Sequence, residues 1–136
     1  MVRMLAAAWA VLALAIPGVC CASISHASPT DDPGRCNFNL TPPKVVQVSG
    51  VSYVQATMSA GACTLHVYPN MSTVCLSIDG DESSGQCATR NDPNAAVLYY
   101  VYRPGATYIE KGQGCANFNT PPYIVCEDFL PSRTTL

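Results

Sequence analysis

Charge is scarce in this 136-residue chain: Asp, Glu, Lys and Arg make up 12% of it. The basic residues beyond the N-terminal segment, Arg35, Lys44, Arg90, Arg103, Lys111 and Arg133, are scattered and form no patch. That disfavours nucleic acid and polybasic membrane docking as partners. Histidine is almost missing, with only His26 and His66. A nucleophilic triad therefore has one candidate base, His66, and no G-x-S-x-G elbow accompanies it. No C-x-x-C occurs, so neither a zinc ribbon nor a thioredoxin-type pair is indicated. The spacing Asp79, Asp81, Ser83 suggests a calcium loop. The sixth position, however, is Ser84 instead of Gly and the twelfth is Arg90, so the EF-hand pattern fails. No metal, cofactor or catalytic residue is expected.

Long apolar runs are also few. The one that exists, Leu5 to Ile16, follows Arg3 and ends at Pro17-Gly18. It is about a dozen residues long, whereas a bilayer span needs roughly 20. Ser25-His26-Ala27 supplies small residues where a signal peptidase reads, so residues 1–27 are expected to be a signal peptide, with cleavage after Ala22 as second choice. Cys20 and Cys21 sit where a lipidated cysteine would, but Val19 precedes the first and a cysteine the second. A lipobox wants Gly, Ala or Ser there, so no lipid anchor and no membrane attachment after cleavage are expected. The only Trp, Trp9, leaves with this segment. A secreted, extracellular protein follows.

What the chain does have is cysteine. Of eight, six lie beyond the leader: Cys36, Cys63, Cys75, Cys87, Cys115 and Cys126. In an exported domain of this size an even set reads as structural disulfides. Six cysteines admit many connectivities, and sequence alone does not choose. Pairing neighbours would give Cys36–Cys63, Cys75–Cys87 and Cys115–Cys126, the last two each closing a hairpin-sized loop.

Ser28 to Arg35 is polar, rich in Pro and Gly, and reads as a flexible N-terminal tail. Residues 36–136 then alternate. Val54, Ala56, Met58 and Ala60 share a face opposite Tyr53, Gln55, Thr57 and Ser59. Cys63, Leu65 and Val67 alternate with Thr64, His66 and Tyr68. Val74, Leu76 and Ile78 alternate with Thr73, Cys75 and Ser77, and Leu98, Tyr100 and Tyr102 with Val97, Tyr99 and Val101. Period two over such runs marks strands with one buried face. It also sets Cys75 on the outer face of its sheet. Breaks fall at Ser49-Gly50, Ala60-Gly61, Pro69-Asn70, Asp79-Gly80, Asn91 to Asn94, Pro104-Gly105 and Gly112 to Gly114. The expectation is an all-β fold, a single small antiparallel β-sandwich, immunoglobulin-like and stapled by disulfides. Arg103 to Tyr108 reads as a turn feeding a strand with a corner tyrosine.

Asn37-Phe38-Asn39-Leu40-Thr41-Pro42-Pro43 is echoed by Asn117-Phe118-Asn119-Thr120-Pro121-Pro122. The plainer reading is one local device used twice, Pro-Pro forcing an extended approach to a strand and protecting an edge. A sharper one is a pair of loops at one end of the domain. Asn39 and Asn70 each begin an N-glycosylation sequon.

These features point to a binding protein, with a protein partner of host or cell-envelope origin. Tyrosine offers contact area at low entropic cost, which singles out Tyr99, Tyr100, Tyr102, Tyr108 and Tyr123. A secreted protease inhibitor is the alternative, presenting Asp79–Gly85 or Asn119–Pro122 as a disulfide-pinned loop. A small secreted hydrolase would need His66, Asp79 or Glu127 in a pocket with a second titratable group.

Overall fold

The computed structural model describes residues 34–136. The expected signal peptide and most of the tail lie outside the described residues. Of the tail, Gly34 and Arg35 are described, and Arg35 is tied down: its N–H donates to Thr64 Oγ1 at 2.9 Å and its carbonyl accepts from Thr64 N at 2.9 Å.

The described chain is all-β and antiparallel. Its strands are β1 (Cys36–Val48), β2 (Val51–Cys63), β3 (Val67–Ile78), β4 (Asp81–Arg90), β5 (Ala96–Val101), β6 (Thr107–Phe118) and β7 (Ile124–Thr135). They form a three-stranded sheet in the order β1-β2-β5 and a four-stranded sheet in the order β4-β3-β6-β7. The alternation puts Val54, Ala56 and Met58 of β2, Ala96, Leu98 and Tyr100 of β5, Val74, Leu76 and Ile78 of β3 and Tyr108 of β6 into one shared core. The opposite parity faces outward, as period two requires.

The turn at Ser49-Gly50 joins Val48 to Val51 with φ of 51° and 80°. Two positive φ values are what a tight two-residue hairpin turn demands, and glycine at the second place meets that without strain. The corner tyrosine is also in place. Tyr108 is fully buried, its hydroxyl donates to Val101 O at 2.9 Å, and it accepts from Arg103 N at 2.7 Å.

All three disulfides join neighbouring strands at directly opposed positions: Cys36–Cys63, Cys75–Cys87 and Cys115–Cys126, each with Cα atoms 4.0 Å apart. Cys75 is indeed on the outer face of β3, between the buried Val74 and Leu76.

Three expected breaks are strand interior. Gly112 and Gly114 lie inside β6, on its inward face with Tyr108. A Cβ on Gly114 would sit 2.2 Å from the Phe38 ring, and one on Gly112 2.8 Å from Leu40. Side chains from β1 fill the space these glycines leave, a reason for glycine that has nothing to do with turning. Pro69-Asn70 is a register break within β3, between Pro69 and Met71. Ala60-Gly61 lies within β2. The reversal comes later, at residues 64–66, where His66 takes φ of 67° and Leu65 is 88% exposed. The expected strand through Cys63, Leu65 and Val67 is thus a turn.

The Asn-Pro-Pro echo is not a pair of loops. The first copy lies in β1, with a register break between Thr41 and Lys44, on the edge of the three-stranded sheet. The second forms the β6–β7 turn, where Tyr123 N donates to Thr120 O at 2.9 Å and Phe118 N to Tyr123 O at 2.7 Å.

Candidate functional site

The two sheets present outer faces of different character. On the four-stranded sheet the outward positions are cross-linked by polar or covalent rungs. Thr73 and Thr89 hydroxyls lie 3.0 Å apart, Gln113 Nε2 donates to Asp128 Oδ1 at 2.7 Å, and Arg133 pairs with Asp79 at 2.5 Å. Cys75–Cys87 and Cys115–Cys126 are rungs of the same ladders. Cross-strand pairs of this kind satisfy one another, and shallow hollows of about 270 and 360 Å³ lie between them on either side of Lys111.

The three-stranded sheet is different. Directly opposed residues share a face, so its outer rows follow from the register: Val48 with Val51; Val46 with Tyr53 and Val101; Lys44 with Gln55 and Tyr99; Thr41 with Thr57 and Val97. Val48, Val51, Val97, Tyr99 and Val101 are between 39% and 53% exposed. Tyr53 and Tyr99 meet edge-to-face with ring centroids 6.4 Å apart, and Gln55 Nε2 donates to the Tyr99 hydroxyl at 3.0 Å. The result is a valine-rich outer face centred on an oriented tyrosine pair, with the polar Thr41, Lys44, Gln55 and Thr57 set among the apolar residues. Exposed apolar side chains gathered on one sheet face are the kind of feature that marks an interaction surface.

Of the five tyrosines expected to contact a partner, only Tyr99 lies on this face. Tyr100 and Tyr108 are core residues, their rings edge-to-face at 6.2 Å. The Tyr100 hydroxyl donates to Ser84 O at 2.9 Å, an internal role. Both are therefore withdrawn from any contact surface. Tyr102 is half-buried and packs against the core. Tyr123 is 59% exposed but sits in the β6–β7 turn, on the other sheet. The valines of the face do not stand out from sequence. Their one signal is Val97 to Val101, a strand apolar on both parities.

Asp79–Gly85 is not a loop: Asp79-Gly80 is a two-residue turn and β4 begins at Asp81. Asn119–Pro122 is a turn closed by Cys115–Cys126. His66 and Asp79 flank opposite ends of β3, and Asp79 is engaged by Arg133. Glu127 lines a hollow of about 150 Å³ with Arg35, Phe38 and Phe118. Asn39 is exposed on β1, whereas Asn70 Nδ2 donates to Asn117 Oδ1 at 2.7 Å.

One titratable group that sequence reasoning missed is buried between the sheets. Glu110 is 1% exposed and shares the inward face of β6 with Tyr108. Desolvation pushes its carboxyl from the ordinary 4.5 up to about 7, against a weaker opposite pull from Ser132. Ser132 Oγ donates to Oε2 at 3.4 Å, and Oε1 has no partner.

Among the described residues no group of three His, Cys, Asp or Glu is placed to hold a metal ion, and no helix is long and apolar enough to cross a membrane. No protein-family model, curated protein or solved structure matches the chain. Three intramolecular disulfides are typical of extracellular proteins.

Proposed function

We propose that this is a secreted, immunoglobulin-like binding protein that recognises a protein partner through the outer face of β1, β2 and β5. The apolar face centred on Tyr99 and Tyr53 carries this reading. It offers rigid aromatic area on a disulfide-stapled sheet, so little ordering entropy is lost on contact. The sandwich assignment is supported by the strand orders β1-β2-β5 and β4-β3-β6-β7 together with the Tyr108 corner. Secretion is supported by the leader pattern and the disulfides.

The test is affinity capture from the protein's own extracellular surroundings with the oxidised domain. It is run beside Tyr99→Ser and beside Thr73→Ala on the polar outer face of the other sheet. The expected result is a partner retained by the parent and Thr73→Ala and lost with Tyr99→Ser, while all three melt alike. Equal retention by Tyr99→Ser would refute the assignment of this face.

A further inference from the structure

The four strands at the sheet edges are not equally guarded. An edge exposes unpaired N–H and C=O groups, and natural proteins blunt it with proline, charge or breaks in register. β1 has Pro42, Pro43, Lys44 and a register break between Thr41 and Lys44. β4 has Asp81, Gly85 and Arg90, with a break opposite Leu76 and Ile78. β7 has Glu127, Asp128, Pro131 and Arg133, with a break opposite Glu110 and Gly112. β5 has none of these. Its sequence is Ala-Val-Leu-Tyr-Tyr-Val, and its register with β2 is unbroken from Tyr53–Val101 to Met58–Ala96. Among the described residues no backbone hydrogen bond crosses its free edge. Among those residues the one bond to its main chain from outside the sheet ladder is that of the Tyr108 hydroxyl to Val101 O.

We infer that β5 is a strand-addition site and that its occupant is β5 of a second copy of this chain. Antiparallel pairing about a two-fold axis sets the strand against itself, so a charge on it would enter the seam from both copies, opposite an apolar residue or its own mate. β5 has no charge. Side-chain parity also matches, since Val97, Tyr99 and Val101 point out while Ala96, Leu98 and Tyr100 point in. A register centred on Leu98 or Tyr99 keeps each face with its own kind. The flanks are complementary: Asp92 precedes the strand and Arg103 follows it, and antiparallel pairing brings the acidic flank of one copy to the basic flank of the other. The two three-stranded sheets become one six-stranded sheet. This goes beyond the binding function above and does not depend on it.

Sedimentation equilibrium of the oxidised protein from micromolar to millimolar concentration tests the inference, with hydrogen exchange at the amides of Val97–Val101. Two exposed-site variants accompany it: Val97→Lys on β5, and Val48→Lys on the same outer face but at β1. The expected result is a dimer whose β5 amides gain protection as concentration rises. Val97→Lys weakens it by roughly tenfold or more, and Val48→Lys leaves it unchanged. A monomer throughout would overturn the inference. So would a dimer with unprotected β5 amides, or equal weakening by the two variants, which would mean copies stacked through their faces.

Discussion

Replacing Glu110 by Gln isolates the cost of one carboxylate held between the sheets. The group is 1% exposed, one of its oxygens has no partner, and burial raises its pKa from 4.5 to about 7. A tenfold change in proton affinity corresponds to about 1.4 kcal/mol, so the ionised form costs the folded state about 3 kcal/mol. The sign follows from which state holds the proton more tightly. Because the folded pKa is the higher, the contribution is fully present below about pH 4.5 and is lost as pH rises, levelling off above about pH 7. Gln is nearly the same shape and does not ionise. Glu110→Gln should therefore match the parent near pH 4 and exceed it by about 3 kcal/mol near pH 8. Urea unfolding with the disulfides intact, followed by far-UV circular dichroism across that range, measures both curves. Their difference cancels the titration of every other group. A difference independent of pH would refute the reasoning, since it would mean that the carboxylate finds solvent or a counter-charge in the folded state.

Two further outcomes rest on packing and on covalent links. Removing the Cys75–Cys87 bridge by a double change to Ala should cost about 3 kcal/mol, the chain-entropy value for closing a loop of this length. A urea midpoint that barely moves would show that the hairpin persists in the unfolded chain. Gly114→Ala forces a Cβ to within 2.2 Å of the Phe38 ring and should destabilise by about 1–3 kcal/mol through overpacking. Thermal melting of Gly114→Ala alone and combined with Phe38→Leu checks this, because the shorter side chain should restore part of the loss.

Period two is enough to place the core. Val54, Ala56 and Met58, Val74, Leu76 and Ile78, and Leu98 and Tyr100 are buried as the alternation requires, and Cys75 points out for the same reason. The neighbour pairing of the cysteines also holds, because each pair spans one hairpin. The glycines mislead. Gly112 and Gly114 look like turn chemistry locally, and only the approach of Leu40 and Phe38 from β1 explains them. The end of β2 misleads for a related reason: Leu65 fits an apolar alternation, yet the chain reverses there and leaves it in solvent. The outer face is half legible. Tyr99 stands out from sequence, but residue type groups Tyr100 and Tyr108 with it, whereas their parity and corner role put them inside. The valines of β1 and β2 that complete the face depend on strand order, which no single run of sequence contains. Glu110 escapes notice because its neighbours on the same face, Tyr108 and Gly112, do not form an apolar run that would mark it as anomalous.

The bridges Cys36–Cys63, Cys75–Cys87 and Cys115–Cys126 follow one another along the chain without nesting or overlapping. Taken in sequence order among the described residues, each cysteine that opens a bridge is followed directly by its native partner. Joining each such cysteine to the next one along the chain is enough to give the native connectivity, and no bridge has to thread past another.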